Sequence, residues 1–83
     1  MPMRIRVLFF GQLKDITGMA QEEAELSDGA KVDDLFERYG RRFPKLVEFR
    51  ASIATAVNHE YADGRKPLAA GDEVAFLPPV SGG

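Results

Sequence analysis

The residues of this chain best suited to chemistry are also its smallest. Gly82 and Gly83 close the sequence behind Pro78, Pro79, Val80 and Ser81. A glycine has no Cβ, so a peptide ending this way is thin enough to enter a channel closed to larger residues. Activated by a partner that brings ATP, the terminal carboxyl would become a mixed anhydride, an electrophile that no side chain shields from a nucleophile. Pro78 and Pro79 fix φ and cannot donate to a sheet ladder, so they read as a stiff, extended spacer. A strand-like run from Glu73 to Leu77 feeds straight into that spacer with no polar linker between. Position therefore separates this ending from a frayed terminus that merely finishes in glycine.

Few other residues compete for a chemical role. There is no cysteine, which removes disulfides, thiolate nucleophiles and thiolate metal ligands together. A single histidine, His59, cannot build a triad or a metal site by itself, and its place beside Asn58 reads as a surface turn. The eight glycines are scattered over turns and the tail, so none forms a phosphate-cradling loop. No metal site and no cofactor bound by the chain alone are expected, and the chain is not expected to be catalytic alone. A net charge of −2 gives no reason to expect nucleic acid or an anionic membrane as partner. The apolar runs are too short to span a bilayer and no signal peptide opens the chain, so the expected compartment is the cytoplasm.

Eighty-three residues make one small domain with a single core. From Arg4 to Phe10 the pattern alternates, with Ile5, Val7 and Phe9 on one face. The opposite face begins polar, with Arg4 and Arg6, and turns apolar at Leu8 and Phe10. Gln12 to Thr17 reads as a connection closed by Gly18, and Glu22 to Leu26 as a second strand, antiparallel to the first. The period then changes. Val32, Leu35, Phe36, Tyr39 and Phe43 form one helical stripe that Pro44 ends. Asp33 and Asp34 sit in its first turn and Arg41 and Arg42 in its last, each favourable to the helix dipole. Gly40 is awkward inside such a helix and predicts a loose final turn. Lys45 to Ser52 is ambiguous, with another helical turn one reading of it. Ile53 to Asn58 reads as a strand, Tyr61 and Ala62 as a short edge strand, and Glu73 to Leu77 as the last strand.

This order, a hairpin, then a helix, then further strands, is an α+β arrangement in which the helix covers one sheet face. Val74 and Phe76 share parity and would join Ile5, Val7 and Phe9 beneath the helix. If the first and last strands are neighbours, Leu8, Phe10, Ala75 and Leu77 emerge together on the other face. They would form an apolar docking patch at the root of the tail.

The runs Val7 to Leu13, Ala56 to Asn58, and above all Gly71 to Gly83 resemble the small, sulfur-carrying subunits of molybdopterin synthase, the MoaD family. The likeness spans essentially the whole chain. It implies a ubiquitin-like β-grasp, a mixed sheet of about four to five strands with one main helix on one face. The expected layout is a domain over residues 1–79 and a flexible tail over residues 80–83. It further implies that Gly83 is adenylated by an E1-like, MoeB-like enzyme that uses ATP, then converted to a thiocarboxylate. The tail, Pro78 to Gly82 ahead of Gly83, would insert into a MoaE-like large subunit that holds the pterin precursor, with Phe10, Leu8, Leu77 and Ala75 at the interface. The lack of cysteine fits sulfur carried on the terminal carbonyl. Two positions depart from the family pattern: Leu77 stands where a second aromatic is common, and Lys31 precedes the helix where Ser or Thr would cap it well. Ubiquitin-like protein modifiers and the sulfur carrier of thiamin thiazole synthesis share the same kind of ending. They stay open as alternatives.

Overall fold

The computed structural model of the chain describes residues 2–78. Strand β1 (Met3–Phe9) is followed by a short helix α1 (Gln12–Thr17) and strand β2 (Gln21–Leu26). The main helix α2 (Val32–Arg42) comes next, then α3 (Pro44–Glu48) and a single 3₁₀ turn (Arg50–Ser52). Strands β3 (Ala54–Val57), β4 (Glu60–Ala62) and β5 (Glu73–Leu77) follow. The strands form one mixed sheet in the order β2-β1-β5-β3-β4. Only the central pair, β1 and β5, runs parallel; the other three pairings are antiparallel. This is the expected α+β, β-grasp arrangement.

The alternation in β1 becomes the partition of the sheet. Ile5, Val7 and Phe9 are buried, as are Val74 and Phe76 from β5 and Val57 from β3. From above, α2 lowers Val32, Leu35, Phe36 and Tyr39 onto them. Three ring contacts tie the layers together. Phe9 meets Tyr39 edge-on at 5.0 Å, stacks on Phe76 at 5.8 Å, and Phe76 in turn meets Phe36 edge-on at 5.8 Å. Such pairs add to what the burial of apolar area contributes.

Buried Tyr39 has a polar end to satisfy. Its hydroxyl donates to Glu22 Oε1 at 2.7 Å, and Arg42 donates to the same oxygen at 2.8 Å. One carboxylate on β2 thus receives two donors from α2. The Arg42 guanidinium, followed by Tyr39, holds the Glu22 carboxyl below the usual range against the opposing pull of burial. Burial, then the bond to Glu22, raises the Tyr39 phenol well above its ordinary value.

Several sequence-based readings need correction. Gln12 to Thr17 is a helix and not a plain connection. Its inward positions, apolar Leu13 and Ile16 with Thr17, fall at i, i+3 and i+4, a pattern too short to stand out. Thr17 Oγ1 donates to Leu13 O at 3.1 Å, and Gly18, in the left-handed region, ends the helix. β1 stops at Phe9, so Phe10 lies just beyond the strand. The last turn of α2 is not loose. Gly40 is buried there, and a Cβ on it would stand 3.0 Å from Val47 Cγ2, so the missing side chain lets α3 close in. The ambiguous stretch after Pro44 divides into α3 and the 3₁₀ turn, and β3 is two residues shorter than expected. Lys31 caps nothing with its side chain. The first-turn amides of α2 are met by the following loop instead: Val32 N donates to Lys66 O at 3.0 Å and Asp33 N to Gly64 O at 2.9 Å. Asp34 closes back on the Lys31 amide at 2.8 Å.

Two substitutions test this arrangement. Phe9→Ala removes the ring shared by Tyr39 and Phe76 and should cost about 3–5 kcal/mol in chemical denaturation. Glu22→Gln should cost on the order of 1 kcal/mol at neutral pH, since charge-assisted bonds become neutral ones. Because the folded state depresses its pKa, Glu22 contributes fully above about pH 4.5. That contribution is lost as pH falls through the lower folded value. The acid limb of the stability profile should therefore be shallower in Glu22→Gln; a limb as steep as the native one would exclude this role.

Candidate functional site

The parallel pairing of β1 with β5 sets the geometry of the face away from the helices. Leu8 lies opposite Ala75, Ala75 opposite Ala56, and Ala56 opposite Tyr61. One row of apolar side chains thus crosses four strands. A step towards the C-terminal end of β5, Leu77 pairs with Ala54, and Phe10 follows the end of β1. A step the other way, Arg6 sits between Glu23 and Glu73 in register, and Arg4 opposite Glu25. Arg6 reaches Glu73 at 3.9 Å and Arg4 reaches Glu25 at 3.4 Å. The face is therefore graded, ion-paired at the start of β5 and apolar where β5 ends.

The apolar end is concave. A hollow of about 320 Å³ is lined by Leu8, Phe10, Ala56, His59, Tyr61, Glu73, Ala75 and Leu77. The two alanines leave its middle low, and Phe10 and Tyr61 stand out of the surface at 44% and 80% exposure. An unpaired aromatic that stays so exposed is a candidate anchor for a partner. Larger depressions exist, one of about 600 Å³. That one is lined mainly by polar and charged groups such as Asp63, Arg65, Lys66 and Asp72, away from the end of β5. Continuity with the strand that leads to Pro78 singles out the smaller hollow.

All four residues predicted for the interface, Leu8, Phe10, Ala75 and Leu77, line this one hollow. The sequence reading missed Tyr61, Ala56 and His59. A signal for Tyr61 was present: a two-residue turn at Asn58-His59 sets it opposite Ala56, on the same face. The strand order needed to bring that hairpin beside β5 was not visible.

Of the tail residues, Pro78 alone falls among those described. Gly11, at φ 54° and ψ −133°, occupies the first central position of a turn closed by Leu13 N donating to Phe10 O at 3.0 Å. These angles match a type II′ turn, where glycine is favoured. A Cβ on Gly11 would stand 2.8 Å from Pro78 Cγ. The missing side chain therefore lets the first tail residue lie against the turn after β1, beside Phe10. Pro79, Val80, Ser81, Gly82 and Gly83 lie outside the described residues, as does the proposed division of the chain at residue 80.

Asn58 locks the hairpin to the start of β5. Its amide nitrogen donates to Asp72 Oδ1 at 2.9 Å, and its carbonyl oxygen accepts from Glu73 N at 3.0 Å. Asp72 Oδ2 accepts from Ala69 N at 2.8 Å, so one carboxylate also holds the turn before β5. These bonds fix the height of β4, and with it Tyr61, relative to the hollow. Among the described residues no group of three His, Cys, Asp or Glu side chains is placed to hold a metal ion, and no helix is long and apolar enough to cross a membrane.

Comparison with known proteins agrees with this geometry. The model of the ThiS family matches residues 7–83. A molybdopterin synthase sulfur carrier subunit from Chlamydomonas reinhardtii is 36% identical, covering 98% of this chain and 100% of the relative. A Pyrococcus furiosus structure described as molybdopterin converting factor subunit 1 is 32% identical, covering 94% of this chain and 99% of that one, at a TM-score of 0.84. A complex of subunits 1 and 2 of the molybdopterin-converting factor from Helicobacter pylori holds a chain 27% identical to this one, covering 98% and 100%, at a TM-score of 0.67. The fold alone is shared with a Caldiarchaeum subterraneum ubiquitin, 14% identical over the full length of both chains, at a TM-score of 0.65. A ubiquitin-like sheet with an apolar end at the root of a Gly-Gly tail, and relatives alike over their whole length, lead to one conclusion: this chain belongs to the ThiS family, among the molybdopterin synthase sulfur carrier subunits and their kin.

Proposed function

We propose that this chain carries sulfur for molybdopterin synthesis as the small subunit of a two-subunit synthase. The observation that carries the reading is the graded sheet face, whose apolar end coincides with the point where β5 hands over to the tail. Docking through Leu8, Phe10, Ala75, Leu77 and Tyr61 would fix the domain against a large subunit and leave Pro78 to Gly83 to reach inward. The Helicobacter pylori assembly of subunits 1 and 2 supports a large subunit as partner.

The chemistry then rests on the terminal carboxyl. An E1-like enzyme would transfer AMP from ATP to Gly83, releasing pyrophosphate. A sulfur nucleophile would displace AMP to leave the thiocarboxylate, which donates its sulfur to the pterin precursor on the large subunit. Hydrolysis of the remaining acyl group would return Gly83 to its carboxylate. The chain supplies no acid, base or thiol to these steps; its own contribution is to bind, to orient and to present a carbonyl with no side chain around it. Exposed ion pairs such as Arg4–Glu25 contribute little to such a docking event, so the apolar end should dominate it.

The deciding experiment is the intact mass of the chain purified from its own cells. An oxygen-to-sulfur increment at the terminus supports the carrier; recovery only as conjugates to lysines of larger proteins supports a ubiquitin-like modifier instead. Deleting Gly83 should leave thermal unfolding unchanged, because the core lies upstream, while abolishing sulfur transfer to the precursor. Activity that survived the deletion would exclude this reading. Phe10→Ala should melt within a few degrees of the native chain yet bind the large subunit on the order of 10-fold more weakly, as expected for an aromatic anchor near an interface centre. Unchanged affinity in a titration would remove the docking patch from consideration.

A further inference from the structure

The β3–β4 hairpin turns on Asn58 and His59, between the paired Val57 and Glu60. Both turn residues have positive φ, 51° and 71°, as a type I′ turn requires at its two central positions. Asparagine suits the first. At the second, type I′ turns favour glycine, because a Cβ is crowded in the left-handed region. A histidine there costs stability that a glycine would not. Among the described residues little around the imidazole offsets the cost: the side chain is 85% exposed, and its Nε2 meets Glu73 Oε1 at 3.4 Å, a surface pair of little worth to folding. Backbone strain of this kind persists where a side chain is needed for something other than folding. His59 lines the apolar hollow with Phe10, Tyr61 and Ala75, at its polar border.

We infer that His59 is a specificity-determining contact of the docking face, placed by this strained turn to meet a lysine or arginine of the large subunit. The inference rests on the docking reading above. Glu73 Oε1 lies 3.4 Å from Nε2, and the tautomer that turns its N–H towards this carboxylate offers Nδ1 as an acceptor. Among the described residues Glu73 is the one carboxylate that lines the hollow, and it adds negative charge beside the imidazole. A cationic donor therefore fits this corner, while the apolar row beside it supplies the bulk of the contact.

The test is a calorimetric titration of each variant with the large subunit of the same organism, beside thermal unfolding. His59→Gly should melt a few degrees higher than the native chain and bind on the order of 10-fold more weakly, in keeping with one charge-assisted hydrogen bond. His59→Asn retains a residue that tolerates positive φ but removes the imidazole, and should bind as weakly as His59→Gly. If His59→Gly melts no higher than native, the turn holds no strain and the inference fails. It fails equally if His59→Gly binds like the native chain, or if His59→Asn restores native affinity, since turn rigidity would then be the cause. Phe10→Ala, run in parallel, separates the two levels. Weakened binding by Phe10→Ala with none by His59→Gly sinks this inference alone, whereas unchanged binding by Phe10→Ala sinks the docking reading beneath it.

Discussion

Everything functional in this molecule depends on the parallel pairing of the first strand with the last. Because the register sets Phe9 beside Phe76 and Leu8 beside Ala75, one pairing assigns two rows of side chains to two faces. The Phe9 and Phe76 rings go under α2 and stack. The Leu8 and Ala75 side chains go to the opposite face and begin the apolar row. A one-residue slip would exchange the rows, exposing the rings of the core and burying the apolar row of the open face. The same pairing places the end of β5 beside the turn at Gly11, so Pro78 follows directly from the central strand of the sheet.

The two faces solve different problems. Beneath the helices the sheet is closed by aromatic contacts and by the Glu22 carboxylate, which takes bonds from Tyr39 and Arg42 and so joins β2 to α2. On the open face, Arg4 and Arg6 stand among Glu23, Glu25 and Glu73 and keep half of the surface hydrated. This gradient confines the exposed apolar area to the end nearest the tail. A sheet face apolar throughout would bind without selectivity; one charged throughout would offer a partner little area to desolvate. The ladder between the two halves runs through Glu73, which meets both Arg6 and His59 and so marks the border of the hollow.

The hairpin that carries Tyr61 is tied down from its turn. Asn58 bonds both Asp72 and the amide of Glu73, so the short edge strand β4 need not rely on its own pairing with β3 to hold its position. Short strands at a sheet edge are weak by themselves; here the side-chain clamp supplies the missing order, and the aromatic it presents comes from a different part of the sequence than Phe10 or Leu77.

The sequence by itself determined what depends on local pattern. The alternation of β1 and β5 assigned Phe9 and Phe10 to opposite faces, because side chains in a strand alternate with a strict period of two. The stripe of α2 was legible for the same kind of reason, and the Pro-Pro spacer and Gly-Gly ending pointed, from residue type alone, to the terminal carboxyl that the proposed function uses. Only the tertiary structure decided what depends on neighbours far apart in the chain. Gly40 looked like a flaw in a helix until α3 packed against it, and α1 stayed hidden because six residues hold too little periodicity to declare a helix. Lys31 looked like a poor cap because the carbonyls that satisfy α2 come from residues 64 and 66. Tyr61 and His59 joined the site only through the strand order. That order is set by the burial of the first and last strands in one core, which no local window of sequence records.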